Sequence, residues 1–340
     1  MVNFGKWVAM LLAFLLFGAG CAWADEGAQT VYTDRDLVVA TQIAYYHFTQ
    51  EQLKQHGGNA SVRELLEESD IYRRLQSDWN LTEDALEKRM AETAMKLYEE
   101  IVAPGSKYGD WRVADIRDLN QETGFYGILL DSGADCAVVA FRGSESTDTN
   151  QLIKDWMDAD LGLLMDRDTL QQDVAAEYIS ELAQKFSFGS YAVTGHSLGG
   201  NLAEHVAITA PDSIRGKLVQ TVNFDGPGFS ADYLERHKLE IEKAVSPITL
   251  YRWSLVGNLL THPDCTKTRV VQVTEEIRPM EDVRSNYLRH STAFLYFAGE
   301  WLQDGAEDLA SIGMGAWSRK VDKEITTKRK ELRRKQTAGK

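Results

Sequence analysis

The 340 residues are enough for one large domain or two modest ones, and a composition of 44% hydrophobic and 26% charged residues, with 6 Pro and 26 Gly, excludes collagen-like and wholly disordered chains. The net charge of −14 is unevenly distributed: residues 1–24 carry a single Lys, residues 319–340 carry ten basic and three acidic side chains, and residues 25–318 therefore hold −22. A body this acidic repels nucleic-acid phosphate, so we expect no nucleic-acid partner for it.

The N-terminal residues are typical of a secretory signal. Lys6 precedes an apolar run, Trp7 to Phe17, that is too short to span a bilayer comfortably, and Ala22-Trp23-Ala24 forms an A-x-A cleavage pattern. We expect residues 1–24 to be a signal peptide and the mature protein to be secreted, periplasmic or bound to the cell envelope. Lipoprotein processing at Cys21 and an uncleaved anchor are the alternatives.

The expected export also bears on the three cysteines. Loss of Cys21 with the signal would leave Cys136 and Cys265 as a pair in an oxidising compartment, where a disulfide can form. Cys136 adjoins an apolar β-like run, however, and buried free cysteine is common in such runs, so we favour two free thiols. The sequence has no C-x-x-C and no nucleotide-binding motif, and we expect neither a metal nor a cofactor.

The body of the chain changes pattern once. Residues 35–103 are predicted to be mainly helical, with a helix capped at Thr82 and ending near Ile101. After that point β-like runs alternate with helical stretches, which predicts a mostly parallel sheet with helices on both faces. The predicted strands are 122–131, 136–142, 190–194, 218–224, 248–253 and 269–274, and the predicted helices are 170–186, 199–209, 230–244 and 285–303. No Gly- or Pro-rich linker interrupts residues 25–318, so we predict one α/β domain with an N-terminal helical elaboration.

The strongest functional signal is Gly195-His196-Ser197-Leu198-Gly199. A compact β-like run precedes it and a helical pattern follows, which is the strand–turn–helix context of a G-x-S-x-G nucleophile elbow. Ser197 would then occupy a strained turn, in which a Cβ at Gly195 or Gly199 would collide with the neighbouring strand or helix. The pattern indicates that Ser197 is the nucleophile of an acyl-transfer reaction.

A second segment supports the same chemistry. An apolar strand ends in Phe141-Arg142-Gly143-Ser144, where a turn can present an amide to a developing oxyanion. This segment and the elbow resemble the class 3 (fungal-type) lipases. The chain is also similar to a bacterial family of lipase-like α/β-hydrolases, through G-H-S-x-G-G-N-L-A at 195–203, N-F-D-G-P-G-F at 223–229 and S-x-V-G-x-L-L at 254–260. The resemblance implies an α/β-hydrolase fold, Ser197 as nucleophile, and the amides of Ser144 and Leu198 as oxyanion donors.

A serine nucleophile needs a general base, usually His, and a carboxylate that orients it; in this fold their chain order is Ser, acid, His. Among the histidines after Ser197, His205 lies on the helix that leaves the elbow and His237 lies in a polar helical stretch. His290 follows the last β-like run and falls where the family's base would be. We therefore predict His290 as the base, with His262 as the alternative.

The acid is harder to assign. Class 3 lipases carry their Asp after the strand that precedes the His, and Ser254 occupies that place here. We predict Asp225 instead, at the end of the strand that follows the elbow helix, with Asp264 as the alternative. The following Gly-Pro-Gly also allows an Asx turn, in which Asp225 would have only a structural role.

Two segments bear on access and attachment. Residues 146–161 follow the oxyanion turn, where the similar lipases carry a mobile lid, and their apolar side chains, including Trp156, favour acyl chains; a packed surface helix is the alternative. The basic tail at 319–340 is either a solvated end or a peripheral contact with a membrane or envelope.

Together these features predict an exported serine hydrolase that cleaves small-molecule acyl or lipid esters through an acyl-enzyme. A non-catalytic binding protein that kept the fold but lost its acid is one alternative. A serine peptidase or thioesterase is another, because fold and triad do not determine the substrate.

Overall fold

The computed structural model describes residues 32–83, 85–143, 169–244, 246–254, 256–270 and His290. These residues form an eight-stranded sheet in which each strand lies beside the next one along the chain. The strands are β1 (Ala60–Ser61), β2 (Arg112–Leu119), β3 (Phe125–Asp131), β4 (Cys136–Phe141), β5 (Ser190–His196), β6 (Leu218–Phe224), β7 (Ile248–Arg252) and β8 (Thr266–Val270). Neighbours from β1 to β4 are antiparallel, and neighbours from β4 to β8 are parallel.

Strands β4 to β7 agree with the predicted strands, whereas β8 begins three residues before the predicted strand 269–274, whose residues 271–274 lie outside the described ranges. The prediction for 218–224 coincides with β6, and the bounds of β4, β5 and β7 differ from their predictions by at most two residues at either end. Phe141 at the end of β4 pairs with Gly195 of β5, which in turn pairs with Asn223 of β6. The carboxyl ends of three strands therefore meet at one edge, the place where open α/β sheets bind ligands.

The antiparallel half contains a strand that the sequence does not predict. Half of the eight residues of β2 are charged, so its pattern is not that of a typical buried strand. The charges are tolerated because they have partners: Arg112 bonds to Asn59, Asp115 pairs with Lys185, and Arg117 pairs with Glu181. The sheet therefore has two halves: β1 to β4 form an antiparallel meander, and β4 to β8 are parallel.

Helices complete the layers. They are α1 (Asp34–Tyr45), α2 (Gln50–Gln55), α3 (Val62–Glu67), α4 (Ile71–Leu81), α5 (Ala85–Val102), α6 (Lys107–Asp110), α7 (Leu170–Lys185), α8 (Leu198–Thr209), α9 (Asp212–Arg215), α10 (Ala231–Arg236) and α11 (Lys238–Lys243). The helix predicted at 230–244 is two short helices, α10 and α11, that meet at His237. Capping boxes start α1 at Thr33 and α7 at Thr169, which explains why these helices begin where they do.

Side chains alternate between the two faces of the sheet, and each face has its own cover. In β4, Val138 and Ala140 join the apolar cluster that includes α1, whereas Val139 and Phe141 join the cluster that includes α7 and α8. The N-terminal helical elaboration is therefore the second covering layer of the sheet. Each large apolar side chain buried in this way contributes about 1.5–3 kcal/mol.

Several predictions fall on residues outside the described ranges. They are the signal peptide at 1–24, the lid segment at 146–161, the oxyanion residue Ser144, most of the helix at 285–303 and the tail at 319–340, and they stay predictions. Cys136 and Cys265 are both described, and both are free, as expected. Within the described ranges, no helix combines the length and the hydropathy needed to cross a membrane.

Candidate active site

Ser197 occupies the sharp turn between β5 and α8. Its backbone has φ 59° and ψ −132°, a conformation that non-glycine residues rarely adopt and that costs about 1–3 kcal/mol. The Ser197 N–H donates to the carbonyl oxygen of Phe224, 3.0 Å away, and so ties the turn to the end of β6. Strain of this kind persists only where the surrounding structure enforces it.

The two glycines of the motif allow the turn to form. A Cβ on Gly195 would overlap the backbone of Gly199, and a Cβ on Gly199 would overlap the carbonyl oxygen of Phe141. The close approach that these glycines permit brings the end of β4 against the start of α8. The sequence therefore predicts the role of both glycines correctly: an added Cβ would collide with α8 at Gly195 and with β4 at Gly199.

The side of the turn that would bind an oxyanion is partly described. Leu198 is the first residue of α8, so its N–H has no carbonyl one turn earlier in the helix to bond to. A Cβ built on Gly143 would lie 2.9 Å from the Cβ of Ser197, so the residue before Ser144 borders the serine directly. Ser144 itself lies outside the described residues.

Asp225 lies at the end of β6 in a left-handed conformation, with φ 54°. Its carboxylate is fully buried and accepts hydrogen bonds from three residues. Oδ1 accepts from the backbone N–H groups of Trp253 and Ser254, at 2.8 and 3.0 Å. Oδ2 accepts from the hydroxyl of Ser254 and, at 2.7 Å, from Nδ1 of His290.

The Asx-turn alternative for Asp225 does not hold. The N–H of Gly226 donates to Oδ1 of Asn223, at 2.7 Å, so Asn223 stabilises the Gly-Pro-Gly turn. The carboxylate of Asp225 is directed instead toward the end of β7 and the ring of His290.

His290 is buried beside this carboxylate. Because an ionised carboxylate can only accept, the 2.7 Å contact places the ring proton on Nδ1 and leaves Nε2 as the basic nitrogen. Nε2 is buried and has no hydrogen-bond partner among the described residues, so no hydrogen bond from Ser197 to Nε2 is formed in this structure. Such bonds are often long in unliganded enzymes and tighten when substrate binds.

An aromatic stack supports His290. Its ring lies 4.3 Å from the ring of His196, which in turn stacks against Trp253. The indole N–H of Trp253 donates to the backbone carbonyl of His290, 3.1 Å away. Burial holds the pKa of His196 well below its usual value, and the neighbouring His290 lowers it further, against a weaker opposing effect from the His290 backbone. His196 is therefore a neutral ring at physiological pH.

The other predicted candidates lie elsewhere. His262, the alternative base, bonds through Nδ1 to the buried carboxylate of Glu204, with distances of 3.0 and 3.1 Å. Asp264, the alternative acid, is exposed. His205 bonds to the hydroxyl of Tyr233, and the ring of His237 packs on the same tyrosine. Within the described ranges, no group of three His, Cys, Asp or Glu side chains is arranged to hold a metal ion.

Ser254 is a contributor whose role the sequence does not reveal. Its hydroxyl contacts both Asp225 and, at 3.3 Å, Nδ1 of His290. We expect Ser254→Ala to lower kcat on a soluble ester about tenfold or more, because a hydrogen bond to a charged group contributes about 1.5–3 kcal/mol. Ser246→Ala is the control: it removes a buried hydroxyl whose hydrogen-bond partner among the described residues is the neutral hydroxyl of Thr221, at 3.0 Å, and it should leave kcat unchanged. Equal kcat values for the two variants would contradict the prediction.

The sheet, the strained serine at the end of β5 and the following helix define an α/β-hydrolase fold. Residues 107–329, about two thirds of the chain, match the Mbeg1-like family, and the chain belongs to that family. No curated protein matches the chain in sequence.

Several solved structures resemble this one weakly. A mutant form of MDLA from Penicillium cyclopium has 16% identity and a TM-score of 0.35, covering 67% of this chain and 83% of its own. A Rhizomucor miehei lipase propeptide complex has 16% identity and a TM-score of 0.35, with coverages of 72% and 82%. A triacylglycerol lipase from Penicillium expansum has 16% identity and a TM-score of 0.32, with coverages of 49% and 72%. Likenesses of this size say nothing about the reaction, and the similarity to a bacterial hydrolase family stays a prediction.

Proposed function

We propose that this protein is a serine hydrolase that cleaves carboxylic esters, with acyl or lipid esters as substrates, through an acyl-enzyme. The observation that carries the proposal is the 2.7 Å contact between Nδ1 of His290 and the buried carboxylate of Asp225, together with a strained serine at the elbow. A histidine oriented in this way has one basic nitrogen, Nε2, available to accept the proton of a serine hydroxyl.

In the first step Oγ of Ser197 attacks the ester carbonyl while Nε2 of His290 takes the hydroxyl proton. The tetrahedral intermediate carries its negative charge on the former carbonyl oxygen, which the N–H of Leu198 and the predicted second donor, Ser144, would stabilise. Collapse breaks the bond to the alcohol oxygen, which receives the proton from Nε2 and leaves. The acyl group then remains on Ser197.

In the second step a water molecule attacks the acyl-enzyme and gives a proton to Nε2, which returns it to Oγ of Ser197 as the carboxylic acid leaves. Asp225 keeps the ring in one orientation and stabilises the imidazolium that forms in each step. The backbone and hydroxyl donors from Trp253 and Ser254 hold the carboxylate in position. This network supports an active site and weakens the alternative of a binding protein without an acid.

Fluorophosphonate labelling tests the proposal, because the reagent modifies only activated serines. We expect the wild-type chain to bind one label, Ser197→Ala to bind none, and Ser180→Ala to label like the wild type. Ser180 is a matched control because its hydroxyl donates to the carbonyl of Ala176, one turn earlier in α7, and lies outside the candidate site. An unlabelled wild type that is fully folded would contradict the proposal and favour a binding protein.

Turnover of a series of esters with increasing acyl length then defines the substrate. We expect hydrolysis of acyl esters and little cleavage of matched amides or thioesters. A labelled chain that cleaves a thioester or an amide faster than the ester would instead be a thioesterase or a peptidase on this fold.

A further inference from the structure

The last residue of α1, Tyr45, joins two parts of the site that are far apart in sequence. Its hydroxyl oxygen lies 3.2 Å from the backbone nitrogen of Gly143 and 2.9 Å from Nδ1 of His196. Gly143 borders the nucleophile, and His196 immediately precedes it and stacks on His290. One phenol therefore contacts both neighbours of the catalytic serine.

The chemistry of these groups limits the direction of the hydrogen bonds. The N–H of Gly143 can only donate, so the Tyr45 oxygen accepts from it. His196 is neutral, and in the tautomer that carries the ring proton on Nε2 its Nδ1 accepts the phenol proton. The two hydrogen bonds link Gly143, after the end of β4, through the phenol of Tyr45 to the ring of His196, which stacks on His290.

We propose that Tyr45 is a positioning residue of this site: its hydroxyl holds the turn at Gly143 and the ring of His196 in the geometry that Ser197 and His290 need. The inference rests on the proposed function and adds to it a contribution from α1. Tyr45 lies outside the 107–329 range that matches the family.

Both ends of the chain of bonds matter for the reaction. Gly143 borders Ser197 and immediately precedes Ser144, the predicted oxyanion donor, and the rate depends steeply on the position of such donors. A His196 ring without its phenol donor could rotate, and the ring on which His290 stacks, 4.3 Å away, would then no longer hold His290 in place.

Tyr45→Phe removes the hydroxyl alone and tests the proposal. We expect kcat on a soluble ester and the rate constant of fluorophosphonate labelling to fall about tenfold, with KM within about twofold and one label still bound per chain. Tyr46→Phe is the matched control, because this neighbouring buried hydroxyl has no hydrogen-bond partner among the described residues. It should leave both rates unchanged. The labelling rate counts only folded sites, so a purely structural role of Tyr45 would lower the fraction labelled and leave the rate constant unchanged.

A double-mutant cycle gives a second test. His196→Phe keeps a ring against His290 but cannot accept the phenol proton, so we expect a similar tenfold loss, and no further loss when Tyr45→Phe is added. Losses that multiply to about a hundredfold, or a Tyr45→Phe variant that labels at the wild-type rate, would overturn the inference. A wild type that does not label at all would instead overturn the proposed function.

Discussion

Asp225→Asn is expected to lower kcat on a soluble ester about 10⁴-fold, with a small change in KM. The amide nitrogen of the introduced Asn would donate to Nδ1 of His290. The ring would then adopt the tautomer that carries its proton on Nε2. A protonated Nε2 cannot take the hydroxyl proton of Ser197. The loss comes from the wrong tautomer in an otherwise intact site, which initial-rate kinetics on well-folded protein measures directly.

Two further variants sharpen this prediction. Asp264→Asn changes an exposed carboxylate and should keep wild-type activity. In the Asp225→Asn background, Ser254→Asp should recover activity tenfold or more, because Oγ of Ser254 already lies 3.3 Å from Nδ1 of His290. A wild-type rate in Asp225→Asn would show that the buried carboxylate has only a structural role.

The second large effect concerns stability. His262→Leu should lower the free energy of unfolding by about 3–5 kcal/mol, because it leaves the carboxylate of Glu204 buried without its partner. Glu204 is fully buried on α8, the helix that begins at the nucleophile, and His262 is its only hydrogen-bond partner among the described residues. Urea unfolding of the wild type and the variant under one condition measures the difference.

An exposed pair of the same chemistry is the control. His56 contacts Glu68 at 2.9 Å, but Glu68 is 59% exposed, so His56→Leu should cost at most about 1 kcal/mol. Replacing Glu204 and His262 together by Leu should recover most of the stability, since no unpaired charge remains. Equal losses of stability at the buried and exposed pairs would contradict the prediction.

Strands β4 to β6 of the parallel half were predictable because they are mostly apolar runs whose two faces are both buried. β4 has all six residues buried, and a pattern of this kind is readable without partners. β2 was not predictable, because its charges are tolerated through contacts with α7, with the segment before β1 and with His47. Such partners are far away in sequence, so no local pattern of residues predicts them.

The candidate site, likewise, could be predicted from the sequence only where it is a local motif. The elbow at Ser197 is a local motif, and its glycines can be interpreted from sterics alone. The approach of Asp225 to His290 depends on how the ends of β6 and β7 meet. The sequence therefore could not decide between Asp225 and Asp264 as the acid. Tyr45 gives no signal at all, because only the packing of α1 on the sheet brings its phenol to Gly143.

The position of α1 has a consequence for how the molecule assembles. Each strand pairs with the next one in sequence, so the sheet can grow through comparatively local contacts, whereas α1 bonds to partners more than 150 residues away, as in Thr41 with Thr194 and Tyr251 with Asp34. Contacts of such long range carry a large loop-closure cost and form slowly. The chain should therefore reach a folded sheet with a formed elbow before α1 docks, and catalytic competence should appear later than the bulk of the structure.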